Sequence, residues 1–312
     1  MPDAWHAVCE VRPPPIANLG RMQHRPNWAT GLALLAIHLV ALLALLPAFF
    51  SWSGVAVAAI ITYATGGFGI TLCYHRVLTH RALRMVRPLE YATAIIGTLA
   101  FQGAPIEWVS THRLHHAHSD RRRDPHSIRP GLTWAHVQWL FRTNPNIPTL
   151  EQQKRYTPDL WADPFYRALS ILHIPLQIAL AAVLFFIGGW SWVIWGIFAR
   201  LAFTYNATWL VNSAAHFTGY RTYRTPDRSV NSWWVALISW GEGWHNNHHA
   251  FPFSARHGLR WFEIDCTWWT IKLMAALKLV DKVRVPTAEM RDRLAKAERD
   301  VQRRYFRRIS ME

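Results

Sequence analysis

The chain contains little cysteine, and the cysteine it contains is scattered. Cys9, Cys73 and Cys266 are its three cysteines, and no two of them form a Cys-x-x-Cys pair. Iron–sulfur clusters and disulfide-stapled folds need cysteines grouped at short or repeated spacings. The cysteine pattern therefore indicates neither an iron–sulfur protein nor a disulfide framework.

Charge is absent from two long stretches of the 312-residue chain. Residues 29–74 contain no Asp, Glu, Lys or Arg, and residues 168–220 contain only Arg200. A helix that crosses a bilayer needs about 20 mostly apolar residues, so each stretch is long enough for two crossings and a short turn. We therefore predict an all-α integral membrane protein with four transmembrane helices, near residues 29–50, 54–74, 169–188 and 192–214. Two uncharged stretches of this length argue against a buried hairpin in a soluble protein.

Acidic residues are also few, with 19 Asp and Glu against 34 Lys and Arg and a net charge of +15. Basic proteins often bind nucleic acid. Here nearly all basic residues lie in the segments that flank the uncharged stretches, where they attract anionic lipid headgroups. We therefore expect a lipid bilayer, and no nucleic acid, as a partner. The positive-inside rule places these segments, and with them both termini, in the cytosol.

Two terminal segments flank the predicted membrane domain, which covers residues 28–285. Residues 1–27 are polar and rich in proline, and we predict an N-terminal cytosolic segment there. Residues 286–312 carry apolar side chains at helical spacing between Arg and Lys residues: Met290, Leu294, Ala297, Val301 and Tyr305. This pattern predicts a basic amphipathic helix on the cytosolic face. A solvated helix packed on the domain fits the pattern equally well.

Eight histidines stand in three clusters outside the predicted membrane helices: His75 and His80; His112, His115 and His116; His245, His248 and His249. Neutral imidazole is the commonest side-chain metal ligand and binds iron, zinc, copper or nickel. The number of candidate ligands exceeds what one ion can use, so the pattern predicts two ions. We expect a cytosolic helical cap that carries this histidine-rich di-metal site.

The spacing within the clusters makes a further prediction. Histidines at positions i, i+3 and i+4 share one face of a helix, so the second cluster is predicted to point at one place, and the third cluster likewise. His75 and His80 are five residues apart and would diverge on an unbroken helix. We expect the helix to end between them, or the two side chains to serve different ions.

The residues around the clusters make the pattern more specific. Residues 97–108 (GTLAFQGAPIEW) lead into the second cluster, residues 206–216 (NATWLVNSAAH) end the last predicted membrane helix, and residues 241–245 (GEGWH) open the third cluster. Three clusters in this order and context resemble the integral-membrane fatty acid desaturases, most closely their Δ9 acyl type. The third cluster begins with His245, where front-end desaturases usually have Gln.

The resemblance implies roles for individual residues. The metal ligands would be the eight clustered histidines together with His216 and, through water, Asn212: His75, His80, His112, His115, His116, Asn212, His216, His245, His248 and His249. Ligating histidines usually donate their other ring N–H to a carboxylate or carbonyl, and the residues placed for supporting roles are Asp120, Asp124, His126 and Glu242. Solvated loop acids are the alternative for the three carboxylates. Trp108, Thr208 and Trp209 match positions that line an acyl tunnel.

The resemblance also implies the chemistry. An O2-dependent desaturase would insert a cis double bond, at Δ9, into a saturated acyl chain with two iron ions (Fe2+/Fe3+) as cofactor, because acid–base catalysis cannot cleave an unactivated C–H bond and a metal centre can. Zinc in purified protein would be an artefact of overexpression. The acyl carrier is left open between a glycerolipid and CoA, since animal acyl-CoA enzymes have an Arg-Asp pair where this chain has Ser110-Thr111.

The reaction needs two electrons, and the chain contains no haem-binding His-Pro-Gly-Gly stretch. An external carrier, a ferredoxin or a cytochrome b5-like protein, is therefore expected. Such carriers are typically acidic, so basic residues should steer their approach: Arg121, Arg122, Arg123, Arg303, Arg304, Arg307 and Arg308. Binding of anionic headgroups is the alternative role for these arginines.

Two other functions stay open at this point. A related di-iron membrane hydroxylase would use the same ligands and differ in its product. A membrane metal-binding transporter or sensor is a different class, and it should place polar ligands inside its spans to line a path. Here the clusters lie outside the predicted spans.

Overall fold

A computed structural model describes residues 25–309, with side chains through residue 301. The described chain is mostly helical. Its helices are α1 (Trp28–Leu42), α2 (Trp52–Thr62, continued by π-helical turns over Tyr63–Thr79), α3 (Arg87–Thr98), α4 (Pro105–His118), α5 (Trp139–Phe141, preceded by π-helical turns over Trp134–Gln138), α6 (Leu150–Tyr156), α7 (Pro158–Trp161), α8 (Pro164–Val193, continued by π-helical turns over Ile194–Ala199), α9 (Arg200–Ser213, ending in a 3-10 turn over Ala214–His216), α10 (Trp233–Ile238), α11 (His245–Ala250), α12 (Cys266–Ala276) and α13 (Ala288–Ile309).

The mostly helical chain agrees with the predicted all-α class and has one short pair of strands that was not predicted. Strands β1 (Arg84–Met85) and β2 (Val280–Asp281) form a short antiparallel ladder, with Arg84 opposite Asp281. The ladder joins the segment that follows the first histidine cluster to the end of the predicted membrane domain.

Three helical stretches are long and apolar enough to cross a membrane: Trp28–Leu45, Trp52–Thr79 and Pro164–His216. The first and third stretches are mostly exposed, with Ile171 and Phe186 76% and 84% exposed, whereas half of the second is buried. A water-soluble monomer rarely shows so large an apolar surface. The protein is therefore a membrane protein.

The third stretch is a hairpin and not one straight helix. A straight helix of its 53 residues would be about 80 Å long, against a hydrocarbon core of about 30 Å. The helix breaks at Gly189, whose backbone angles (φ 62°, ψ −159°) are essentially restricted to glycine. Leu184 and Gly196, on either side of the break, pack so closely that a Cβ on Gly196 would lie 2.7 Å from the Leu184 side chain. The turn falls between the predicted helices near 169–188 and 192–214.

The turn between α1 and α2 meets the turn of the hairpin, next to Gly189, at one end of the molecule. Ser191 Oγ lies 2.7 Å from Ser51 Oγ and donates to the carbonyl of Phe49 at 2.8 Å. The opposite ends of α2 and α9 carry His75 and His216. The second apolar helix also runs past its predicted end at residue 74, through Thr79, so it delivers the first histidine cluster directly.

The first turns of α13 pack against the domain. Met290 and Leu294 contact the buried group formed by Tyr223, Phe251 and Leu259, and Arg224 N–H donates to the carbonyl of Leu294 at 3.2 Å. This part of the predicted amphipathic helix is therefore a packed helix. The side chains of Arg303, Arg304, Arg307 and Arg308, and most of the predicted N-terminal segment 1–27, lie outside the described residues.

Candidate metal centre

Nine histidines converge at the ends of the apolar helices in two neighbouring sets. The five-histidine set consists of His75, His80, His112, His116 and His248, and the four-histidine set of His115, His216, His245 and His249. In each set the ring nitrogens that face inward lie within 4.8 Å of one another. All nine match positions predicted as ligands from the sequence.

The clusters do not divide as their spacing predicts. His115 lies apart from His112 and His116, in the four-histidine set, and His248 lies apart from His245 and His249, in the five-histidine set. The prediction that each cluster points at one place is therefore wrong. Consecutive residues are about 100° apart around a helix, so α4 and α11 each present ligands to both sets.

His75 and His80 belong to the same set, so the idea that they serve different ions does not fit the geometry. Their ring centres are 4.8 Å apart. The π-helical turns of α2 widen the helix, and His80 N–H donates to the carbonyl of His75, five residues earlier. The helix itself ends at Thr79, between the two side chains as expected.

Distances between ring nitrogens fit metal coordination. Nε2 atoms of His112 and His116 are 3.1 Å apart, and those of His245 and His249 are 3.0 Å apart. Metal–imidazole bonds of about 2.1 Å place neighbouring ligands of an octahedral ion about 3.0 Å apart. The Nε2 atoms of His115 and His216 are buried and have no hydrogen-bond partner. The donor set therefore fits two metal ions, with unpartnered nitrogens directed at one of them.

Carboxylates hold three rings of the four-histidine set from behind. Asp124 lies 3.0 Å from Nδ1 of His115, and Asp120 lies 2.8 Å from Nδ1 of His216. Asp227 lies 2.7 Å from Nδ1 of His249. Such contacts orient the ring and leave Nε2 free for a metal. Asp120 and Asp124 were candidates from the sequence, whereas Asp227 was not, because it stands in a polar loop away from every histidine cluster.

Glu242 and His126, the other predicted supporting residues, lie on different sides of the centre. Glu242 contacts Nδ1 of His75 at 2.6 Å. His126 packs on His115 with ring centres 4.3 Å apart, and its Nδ1 is 3.7 Å from Asp124.

The protonation states suit metal binding. Burial raises the pKa of Asp120, but the hydrogen bond and charge of His216 outweigh burial and lower the pKa to about 2. Burial also opposes ionisation of Asp227, yet His249 holds its pKa well below the usual range. Burial lowers the pKa of His245 and His248, and neighbouring imidazoles lower it further. The carboxylates are ionised and these rings are neutral, which is the form that binds metals.

Two buried residues near Glu242 were not predicted as part of the site. Arg76 is fully buried and bonds Glu242 at 3.2 Å and Asp265 at 3.0 Å. His257, which stands outside the three histidine clusters of the sequence, is 1% exposed and lies 3.3 Å from Glu242. The signal for Arg76 was its place beside His75, but only the folded chain brings Glu242 and Asp265 to it.

An apolar cavity of about 340 Å³ opens beside the five-histidine set, and all three predicted tunnel residues, Trp108, Thr208 and Trp209, line it together with His112 and Asn212. A smaller cavity of about 50 Å³ shares Trp108, His112, Thr208 and Asn212 and continues to His75 and His245. The two cavities thus form one path past the histidines, with Asn212 at their boundary.

The wall of this path is fixed by the last apolar helix. Gln102 donates to Thr208 Oγ1 at 2.9 Å, and Tyr205 donates its hydroxyl to the carbonyl of Phe101 at 2.9 Å. Arg200 is buried and donates to the carbonyls of Leu99 at 2.5 Å and Gly196 at 3.0 Å. The turn that follows α3 is therefore held against α9.

A third cavity, of about 520 Å³, reaches the centre from another side. It meets His80, His116 and His249, and its outer lining includes three arginines, Arg81, Arg113 and Arg121. Both histidine sets can therefore be approached without passing through the apolar cavity.

The fold and the site define a class: a helical membrane protein with a buried, histidine-rich centre that could hold metal ions, beside an apolar channel. The chain belongs to the fatty acid desaturase family, whose model matches residues 50–278. It is 50% identical to the sn-1 stearoyl-lipid 9-desaturase of Anabaena variabilis over 259 residues, which cover 83% of this chain and 94% of that protein.

More distant relatives extend the comparison. The sn-2 palmitoyl-lipid 9-desaturase of Nostoc sp. (strain 36) is 44% identical, covering 82% of this chain and 90% of that protein. The icosanoyl-CoA 5-desaturase of Limnanthes douglasii is 42% identical, covering 84% and 73%. The predicted function is therefore confirmed: the protein is a desaturase, an oxidoreductase that introduces a double bond into an acyl chain. The alternative of a metal transporter or sensor is not favoured.

Proposed function

We propose that this desaturase inserts a cis double bond at Δ9 into a saturated acyl chain carried on a glycerolipid. The observation that supports this most strongly is the path formed by the two apolar cavities, which runs from the bilayer-facing helices past both histidine sets. The Anabaena and Nostoc relatives, both acyl-lipid 9-desaturases by name, support the position of the double bond and the lipid carrier.

The residues before the second histidine cluster also favour a lipid carrier over CoA. Ser110 is buried and donates to the carbonyl of Glu107 at 3.0 Å, and Thr111 donates to the same carbonyl at 2.8 Å. Neither offers a charge to the phosphates of CoA. A glycerolipid needs no such contact, because its acyl chain already lies in the bilayer.

Two iron ions are the cofactor that we propose. Five histidines in one set exceed the four ligands of a typical zinc site, and nitrogen separations near 3.0 Å suit an octahedral ion. When bound, the irons would supply the oxygen chemistry that removes hydrogen from an unactivated methylene. His75, His112 and His245 would face the acyl path, and zinc would be a substitute acquired during overexpression.

The chain's own residues orient the substrate. The side chains of Trp108 and Thr208 line both cavities, as does Asn212. An acyl chain held between them would present one methylene pair to the centre, because the packed wall allows it little freedom. Apolar walls also exclude water from the reacting carbons.

We further propose four membrane crossings, with both termini and the metal centre in the cytosol. The hairpin at Gly189 divides the third apolar stretch in two. The contact between Ser51 and Ser191 joins the two turns at one end, so the histidine-bearing ends share the other. Basic residues flank the histidine-bearing ends, as expected for the cytosolic side.

An external electron carrier, a ferredoxin or a cytochrome b5-like protein, is the proposed partner at the third cavity. That cavity reaches His80, His116 and His249 and includes Arg121 at its rim. Arg121 and Arg122 are exposed and so are available to an acidic carrier.

Fatty-acid profiling of a host that lacks its own desaturase tests the proposed function. Expression should add cis-Δ9 monounsaturated chains to the glycerolipids, and labelled stearoyl-glycerolipid should be converted in preference to stearoyl-CoA. His245→Ala should abolish the product because it removes a ligand of the four-histidine set, whereas His118→Ala, a histidine outside both sets, should retain it.

The products separate the alternatives. Hydroxy fatty acids as the main product would indicate the related hydroxylase. An unchanged profile from folded, metal-loaded protein with a competent donor would contradict the proposal.

A further inference from the structure

The two histidine sets differ in the charge that surrounds them. In the four-histidine set, His115, His216 and His249 each have a carboxylate of their own at 3.0 Å or less. In the part of the chain that the structure describes, no arginine or lysine forms an ion pair with Asp120, Asp124 or Asp227. This set is therefore surrounded by three negative charges with no cationic side chain to balance them.

The five-histidine set has much less support. Among the described residues, Glu242 is the carboxylate that contacts this set, at Nδ1 of His75. Glu242 is also bonded by the buried guanidinium of Arg76 at 3.2 Å. His248 Nδ1 is buried without a hydrogen-bond partner among the described residues. Arg76 shares its single positive charge between Glu242 and Asp265, so the charge of this supporting carboxylate is partly balanced.

We propose, on the basis of the proposed two-metal site, that the four-histidine set binds its divalent ion first and more tightly than the five-histidine set. A carboxylate behind a ligand makes the imidazole a better donor, and losing one typically costs 10–100-fold in metal affinity. Negative charge in a buried site of low dielectric also attracts the cation directly. Two additional carboxylates correspond to a difference of about 10²–10⁴-fold in dissociation constant.

The ligand count argues in the opposite direction, which makes the proposal specific. If the number of imidazoles decided the affinity, the five-histidine set would fill first. Imidazole is neutral, however, and adds no charge to offset the dication. The order in which the two sets fill therefore shows whether the number of ligands or the surrounding charge determines the metal affinity.

Titration of metal-free, full-length protein in lipid nanodiscs with Co2+ alone, under anaerobic conditions, tests the order of filling. Cobalt absorbance and bound metal should rise in two separate steps, with dissociation constants at least about 10²-fold apart. Asp227→Asn should weaken the tighter step about 10–100-fold and leave the weaker step unchanged. Glu242→Gln should affect only the weaker step.

Asp163→Asn is the matched control, because Asp163 caps α8 and pairs with Arg87 away from the histidines. It should change neither step. If Asp227→Asn fails to fold, Asp124→Asn removes the corresponding charge behind His115 and should weaken the same step.

The outcomes separate this inference from the proposed function. Two ions bound in one step, or Asp227→Asn weakening only the looser step, would overturn the order of filling while the wild type still desaturates lipids. Binding of fewer than two ions by folded wild-type protein would instead contradict the two-metal centre, and with it this inference.

Discussion

At the scale of single residues, Arg200 is a charged side chain within an apolar helix. Its guanidinium donates to the carbonyls of Leu99 and Gly196, and Leu99 begins the turn that supplies Phe101 and Gln102 to the apolar cavity. Phe101 has a φ of 57°, a strained conformation that persists only when its surroundings hold it. Arg200 is one of the residues that hold it, so we assign it a positioning role.

Arg200→Met should therefore loosen the cavity wall. Leaving a partly buried carbonyl without its donor costs about 1–3 kcal/mol, so the unfolding temperature in detergent should fall and the yield of unsaturated product should drop. Metal content should stay at the wild-type level, because Arg200 contacts no histidine of either set. Arg129→Met, which removes an exposed arginine, is the control. Unchanged stability and product yield in Arg200→Met would refute the positioning role.

The sequence identified the histidines but not which of the two sets each of them joins. Their spacing identified eight of the nine members of the two sets, and the family resemblance added His216. It could not show that His115 and His248 each join the other set, because this depends on how α4 and α11 face each other. Asp227, Arg76 and His257 were missed for a similar reason, because their contacts with the centre join segments that lie apart in the chain.

At the scale of elements, the π-helical end of α2 and helix α3 cross closely. A Cβ placed on Gly69 would lie 2.5 Å from the Cα of Gly97, a backbone atom that cannot move aside cheaply. On the other helix, a Cβ on Gly97 would meet the ring of Tyr74 at 2.5 Å. This crossing positions His75, which lies six residues after Gly69, against α4 and its histidines.

Gly69→Ala should force the two helices apart. Overpacking of this kind costs about 1–3 kcal/mol, so the unfolding temperature in detergent and the content of bound metal should both decrease. Gly31→Ala is the matched control, because a Cβ there would make an ordinary contact of 3.5 Å with Phe141. Equal stability of the two variants would show that the crossing is not tight.

The elements themselves were largely predictable. Absence of charge marked the apolar helices and the turn near Gly189, because a bilayer requires uncharged helices of a definite length. The π-helical turns of α2, and the strand pair β1 and β2, were not predictable. Both depend on contacts with distant segments, such as the hydrogen bond between Thr71 and Thr267.

At the scale of the whole molecule, the basic surface near the third cavity should govern electron supply. Reversing Arg121, Arg122 and Arg123 to Glu should raise the donor concentration needed for half-maximal turnover without removing metal. Salt should slow turnover at limiting donor and have less effect at saturating donor, because the Debye length falls from about 10 Å at 0.1 M to about 3 Å at 1 M. Stopped-flow measurement of the rate of donor oxidation at several salt and donor concentrations tests both effects.

Lys272→Glu combined with Lys278→Glu provides the control, since both lysines are exposed and line none of the three cavities. This pair of changes should leave the donor concentration needed for half-maximal turnover unchanged. If neither salt nor reversal of the three arginines alters the donor requirement, these arginines serve lipid headgroups instead.

The separate cavities on two sides of the centre have a consequence for the order of events in turnover. An acyl chain in the apolar path meets His75, His112 and His245, while His80, His116 and His249 remain open to the other cavity. The proposed carrier would therefore arrive, deliver one electron and leave while the same acyl chain stays in place. A reaction that needs two single-electron deliveries can thus be completed within one residence of the lipid, and the two partners never compete for the same entrance.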